Sequence, residues 1–106
     1  MKIENNLKVG RLIDTYGKLL TPRQYDIITS YYFDNLSLSE IGYNFTISRQ
    51  AVSDSINQSI KALEAYEDKL GLVKREDLLI DEISTLGIDN PNLLDRINKI
   101  IEHIRG

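Results

Sequence analysis

The chain has 106 residues, 42% of them hydrophobic and 27% charged, and its 16 acidic and 13 basic side chains leave a net charge of −3. That is enough for one core of ordinary size, and no apolar run nears the roughly 18 residues that a membrane span needs. With no cysteine and a single histidine, His103, the chain lacks thiol nucleophiles, the usual zinc ligand sets and Ser-His-Asp triads, so the expectation is a protein that is not an enzyme and uses no metal and no cofactor. Carboxylates recur as DE, ED and DxxE, spacings that read as solvated helix faces. The opening segment MKIENNLKVG has no apolar stretch or small-residue cleavage site, and the lack of cysteine fits a reducing interior; both point to a cytoplasmic protein that does not engage a membrane.

The apolar spacing is helical throughout, so the fold class is all-α. A first helix is expected from about Ile3 to Leu20, with Leu12, Tyr16 and Leu19 on one face and Gly10 and Gly17 each weakening it by about 1 kcal/mol. Thr21-Pro22-Arg23-Gln24 is a helix start, with Thr as cap, Pro where its missing N–H costs nothing, and Gln at the capping-box position. That second helix carries Tyr25, Ile28, Tyr31 and Tyr32 inward and ends near Asp34-Asn35. The six tyrosines could suggest base stacking, but at this spacing they read as core and rim residues.

Ser37-Leu38-Ser39-Glu40 is another capping box and opens a short helix that runs to Phe45. Thr46-Ile47 turn the chain, and Ser48 caps a helix that continues through Val52, Ile56, Ile60, Leu63, Tyr66 and Leu70 to Gly71, a left-handed end followed by apolar Leu72. By the same pattern a helix from about Lys74 to Leu86 ends at Gly87-Ile88. Asn90-Pro91 then start a last helix bearing Leu93, Leu94, Ile97, Ile100, Ile101 and Ile104. The expected organisation is a single all-helical domain, with a helix-turn-helix core over residues 1–71 and a C-terminal helical extension over 72–106.

The stretch SLSEIGYNFTISRQAVSDSI, Ser37 to Ile56, carries the bihelical motif. Two short helices crossing steeply need a small residue where they meet, and Gly42 stands there, with Ile41, Phe45, Ile47, Val52 and Ile56 as the buried set. Many such motifs place Gly at the turn where this chain has Thr46, which suggests a looser turn. With Val52 facing inward, a step of about 100° per residue turns Gln50, Asp54, Asn57 and Lys61 outward, with Ser53 and Gln58 on the flanks. The amides of Gln50 and Asn57 suit adenine edges, Ser53 can donate or accept, and Arg49 at the helix start can reach guanine or phosphate. Asp54, in the middle of that face, would meet cytosine at best. The plainer reading is that these are only the solvent face of a core helix.

Charge divides the readings further. Residues 48–61 carry two basic groups and one acidic, whereas residues 62–90 carry three and eight. Affinity for a duplex comes largely from Lys and Arg displacing counterions, and only Arg23, Arg49 and Lys61 lie near the motif. The acidic run beyond Lys61 must face elsewhere, or another subunit must supply positive charge.

The segments from Tyr16-Gly17-Lys18-Leu19-Leu20-Thr21 through Ser37-Leu38-Ser39-Glu40-Ile41 and Ser48-Arg49-Gln50-Ala51-Val52 to Leu63-Glu64-Ala65-Tyr66-Glu67 resemble the YlxM-like family of small bacterial helix-turn-helix proteins. The similarity covers most of the chain and is loosest after Leu72. The motif is similar in turn to the fourth region of bacterial sigma factors, which reads a promoter element. The resemblance implies a cytosolic, all-helical, sigma-like helix-turn-helix core. It also implies a regulatory role in protein targeting, because the family's genes lie beside those of the signal recognition particle GTPase and its receptor. Ser48 to Val52 match the start of the sigma-like recognition helix, and Ser37 and Glu40 match the cap of the helix before it. Two positions depart from the pattern: Gly42 replaces the more usual Ala, and Ser53 stands where a larger residue is expected.

The sequence therefore points to a helix-turn-helix regulator of double-stranded DNA, with Arg49, Gln50, Ser53 and Asn57 as base-reading candidates and Arg23, Ser37 and Lys61 as phosphate candidates. The alternative is an adaptor that binds a protein or ribonucleoprotein of the targeting machinery and uses the bihelix as scaffold, a reading the acidic surface favours. The stripe of Ile97, Ile100, Ile101 and Ile104 points to a homodimer, although it could equally close the chain's own core.

Overall fold

A computed structural model describes residues 6–106. Among them every regular element is helical: α1 (Asn6–Tyr16), α2 (Pro22–Tyr32), α3 (Leu38–Phe45), α4 (Arg49–Leu70), α5 (Leu72–Asp89) and α6 (Leu94–Arg105), with single 3-10 turns at Gly17–Leu19 and Pro91–Leu93. The fold is all-α, with the helix-turn-helix at α3 and α4. Contacts divide the chain into two compact units, residues 1–70 and 71–106.

The first unit is organised around α4, which packs against α1, α2 and α3. Val52, Ile56, Ile60 and Leu63 form its buried stripe and meet Val9, Leu12, Ile13 and Tyr16 of α1, Ile27 and Ile28 of α2, and Ile41 of α3 in one core. Burying a side chain of this size is worth about 1.5–3 kcal/mol, so this set outweighs the weak intrinsic preference of helices interrupted by Gly and β-branched residues. A polar link crosses the same seam: the Tyr16 hydroxyl donates to Glu67 Oε1 at 2.6 Å, and the Tyr16 and Tyr66 rings stand 6.1 Å apart.

The first helix departs from its expected course. Its expected start at Ile3 lies outside the described residues, and α1 gives way to a 3-10 turn at Gly17 instead of continuing to Leu20. The tighter winding shifts the helical phase, so Leu19 is 56% exposed and Leu20 takes the buried place. Gly17 is needed there by packing, because a Cβ would stand 2.8 Å from the Tyr25 ring. In α2 the fully buried residues are Ile27 and Ile28, while Tyr25, Tyr31 and Tyr32 are half-buried rim residues. The Thr21–Gln24 capping box forms as expected, with the reciprocal hydrogen bonds both at 3.2 Å.

Leu70 is half exposed at the end of α4, and Gly71 takes the expected left-handed conformation at φ 62°. The second unit is the pair α5 and α6. Helix α5 begins at Leu72, earlier than expected, because the Gly71 carbonyl already accepts from Arg75 N–H. Gly87 does not end it: the helix passes through Gly87 to Asp89, and this glycine is buried where a Cβ would lie 3.3 Å from Leu94 and 3.5 Å from Ile97. Its role is close helix packing. Asn90 likewise does not cap α6 with its side chain; its Nδ2 donates back to the Leu86 carbonyl at 3.1 Å, and Pro91 opens the 3-10 turn that precedes α6. Of the isoleucine stripe, Ile97 is buried, Ile101 and Ile104 are half-buried and Ile100 is exposed.

Candidate nucleic-acid interface

The geometry of the bihelix follows from its caps. Ser37 Oγ accepts from Glu40 N–H and the Glu40 carboxylate accepts from Ser37 N–H, both at 3.0 Å, closing the box that starts α3. The Ser37 N–H bond to the carboxylate, with a smaller contribution from the Ser37 hydroxyl, lowers the Glu40 carboxyl pKa from its ordinary value. At the other end Thr46 adopts a left-handed conformation, φ 57°, and its N–H reaches the Tyr43 carbonyl at 3.3 Å. The turn is therefore as tight as one built on glycine, contrary to the expectation from Thr46; a β-branched residue takes the conformation at a cost of order 1–2 kcal/mol. Ser48 Oγ then accepts from Ala51 N–H at 3.0 Å and starts α4.

Gly42 is the point of closest approach. Its carbonyl accepts from Ile47 N–H at 2.9 Å, and a Cβ added to it would lie 2.7 Å from the Ile47 carbonyl oxygen. The departure from Ala at this position is thus tied to a turn that folds directly over the helix.

The structure brings the four base-reading candidates onto one end of α4. Arg49, Gln50 and Asn57 are exposed and Ser53 is half-buried, over nine residues or about 12 Å of helix, close to the width of a major groove. Gln50 is not idle: its Nε2 donates to Asp54 Oδ1 at 2.9 Å, which fixes the amide and uses one of its donors. Lys61 is exposed a further turn along the same helix, about 18 Å from Arg49. Ser37 lies at the start of α3, where its oxygen is committed to the cap. Arg23 is engaged elsewhere, since its guanidinium donates to the Phe45 carbonyl at 3.3 Å and stands 5.7 Å from the centre of the Phe45 ring. It ties α2 to the C-terminal end of α3, where the helix dipole and the unsatisfied carbonyls favour a cation.

Tyr43, read from sequence with the other tyrosines as a core or rim residue, is instead a surface residue. It is 87% exposed on α3 and lines an open cleft with Ser39, Thr46 and Arg49, beside a second cleft formed by Leu38, Arg49, Gln50 and Ser53. The helical wheel contained the clue, because with Ile41 and Phe45 inward, Ser39 and Tyr43 fall on the opposite side. The acidic half of α4 separates in space. Glu67 turns into the α1 seam towards Tyr16, whereas Glu64 and Asp68 stay exposed from about 22 Å beyond Arg49. Among the described residues no group of three or more His, Cys, Asp or Glu could hold a metal ion, and no helix is long and apolar enough to cross a membrane.

Residues 3–103 match the family model described as "Putative helix-turn-helix protein, YlxM / p13 like". The chain is 40% identical over 91 residues to a UPF0122 protein of Exiguobacterium sibiricum, covering 83% of this chain and 86% of that one. It is 39% identical over 103 residues to a UPF0122 protein of Clostridium perfringens, covering 94% and 92%. With a UPF0122 protein of Pediococcus pentosaceus the identity is 47% over 73 residues, 69% of this chain and 65% of that relative. A match of this extent, on a chain whose α3 and α4 meet through a capped, glycine-dependent crossing, means that the chain belongs to the YlxM/p13-like family of helix-turn-helix proteins.

Proposed function

We propose that this protein is a cytoplasmic regulator that binds double-stranded DNA as a homodimer, with no enzymatic activity. The observation that carries the reading is the exposed start of α4, where Arg49, Gln50, Ser53 and Asn57 stand together over one groove width beside a rigidly capped α3. In this reading Arg49 and the two amides meet base edges and Ser53 makes a short polar contact, while Lys61, the Ser37 hydroxyl and the remaining donors of Arg23 meet phosphates. A dimer presents two such helices, which offsets the few cations each one brings. The regulated process is protein targeting by the signal recognition particle, as the family resemblance implies.

One observation favours a second reading. Glu64 and Asp68 continue the exposed face of α4 and repel a duplex, as an adaptor for a basic protein or a ribonucleoprotein of the targeting machinery would tolerate. Duplex binding across a salt series separates the two. Two cations contacting phosphate, Arg23 and Lys61, give a slope of log affinity on log salt of about −1.8 per protomer, since each contributes about 0.9. Arg49→Ala should reduce affinity and sequence discrimination together, and Gln50→Ala should reduce sequence discrimination. Absence of binding at low salt, or affinity unmoved by both substitutions, rules out the DNA reading; co-purification with the signal recognition particle would then support the adaptor.

A further inference from the structure

The second unit is too small to bury its own apolar surface. Within its 36 residues the buried hydrophobic side chains are Ile80 and Ile97, the latter packed over Gly87. Helix pairs of this size need something to cover them. Five of its exposed apolar residues are ordered, with Leu72, Leu79 and Leu86 recurring every seven residues on α5, and Leu93 of the 3-10 turn standing seven before Ile100 of α6; Leu78, Ile88 and Leu94 are exposed outside this series. Each of these five is between 38% and 55% exposed. With the half-buried Ile83 and Ile104 and the buried Ile97, they complete the alternating three- and four-residue spacing of a coiled-coil seam. From the inward direction of Ile80 the α5 stripe lies about a quarter turn away, and Ile100 lies about a sixth of a turn from Ile97. Because α6 packs back against α5, both stripes open on the same side of the pair.

Charge indicates what fits that face. Helix α5 carries five acidic and two basic residues, whereas α6 carries three basic and two acidic. A second copy of this chain offers both the same apolar stripes and the opposite charge, provided each α5 lies beside the other copy's α6. Placing α5 against α5 would set two acidic helices together. We infer that the α5–α6 pair is the dimerisation surface of this protein, in a two-fold, self-complementary four-helix arrangement with α5 of one protomer against α6 of its partner. This rests on the homodimer reading above and specifies its interface.

The test is association of the full chain by sedimentation equilibrium between about 1 and 200 µM, for the native protein, Leu79→Glu, Ile100→Lys and an equimolar mixture of the two variants. The expected result is a native dimer, at least about a hundredfold weaker self-association of each variant, and recovery to within about tenfold on mixing, because one α5–α6 contact then pairs Glu with Lys and the other is native. Leu79→Ala and Ile100→Ala, with helical content checked by circular dichroism, should weaken the dimer about tenfold without loss of helix. A native monomer throughout the range overturns the homodimer itself. A dimer indifferent to the single variants places the contact elsewhere, and single variants that do not recover on mixing exclude the pairing of α5 with α6; either overturns the interface while leaving the homodimer standing.

Discussion

Gly42→Ala measures how closely α3 and the turn after it approach. Two effects compete. Alanine inside a helix is favoured over glycine by about 1 kcal/mol, which argues for stabilisation. Against it, the added Cβ lies 2.7 Å from the Ile47 carbonyl oxygen, while ordinary contact begins near 3.4 Å, so the overlap is about 0.7 Å. The obstructing atom is backbone, held by the bond from Ile47 N–H to the Gly42 carbonyl and continuous with the Ser48 cap, so no side-chain rotation relieves it. Overpacking of this kind costs about 1–3 kcal/mol, and a rigid obstruction belongs in the upper part of that range. The net expectation is a loss of about 1–2 kcal/mol. All six tyrosines lie within residues 1–70, so tyrosine emission during urea unfolding reports this unit alone. With a slope of about 1 kcal/mol per molar urea, the midpoint should fall by about 1–2 M. A midpoint that stays put or rises would show that helix propensity wins and that the approach is looser than 2.7 Å.

Thr46→Gly should act in the opposite direction, because glycine occupies the left-handed position without strain; the gain, after the entropy of a freer unfolded chain, is about 0.5–1 kcal/mol, read as a melting temperature higher by a few degrees. Ser59 is fully buried on α4 and its hydroxyl has no hydrogen-bond partner, so Ser59→Ala should stabilise the protein by about 1 kcal/mol in the same urea experiment; a loss would mean the hydroxyl is satisfied. Glu40 has a lowered folded-state pKa, so its contribution is fully present above its unfolded value and is lost as pH falls through the folded one. Glu40→Gln, which keeps an acceptor for Ser37 N–H, should therefore flatten the acid limb of the stability curve, and an unchanged limb in parallel acid titrations would count against this assignment.

The bihelix was legible from residue types alone because its determinants are local. Ser37 with Glu40, Thr21 with Gln24, and Ser48 before Ala51 each satisfy backbone groups within three or four residues, so spacing is sufficient information. The buried stripe of α4 was legible for the same reason, through its period. The candidate residues on the opposite face were placed correctly as exposed or half-buried, but not their engagements. Arg23 reaches across to Phe45, Gln50 is held by Asp54, and Glu67 is drawn to Tyr16, 51 residues away. The first and last of these partners depend on which helices meet, which no local pattern encodes, whereas Gln50 and Asp54 stand four apart on one helix and spacing alone could have paired them.

Glycine shows the division most clearly. At Gly71 the left-handed end of a helix is a local event, and sequence alone specified it. At Gly87 the same Gly-then-apolar pattern has another cause: α6 presses Leu94 and Ile97 against the helix, and tertiary packing removes the side chain without ending the helix. At Gly17 the Tyr25 ring does the same, and the accompanying 3-10 turn moves Leu19 outward and Leu20 inward. The sequence by itself determined the class of fold, the caps and the buried face of α4, because hydrogen-bond spacing and helical period are short-range. Only the tertiary structure decided where α1 tightens against Tyr25, why α5 passes through Gly87, and that Arg23 and Glu67 are already held, because each of these depends on which helices pack together.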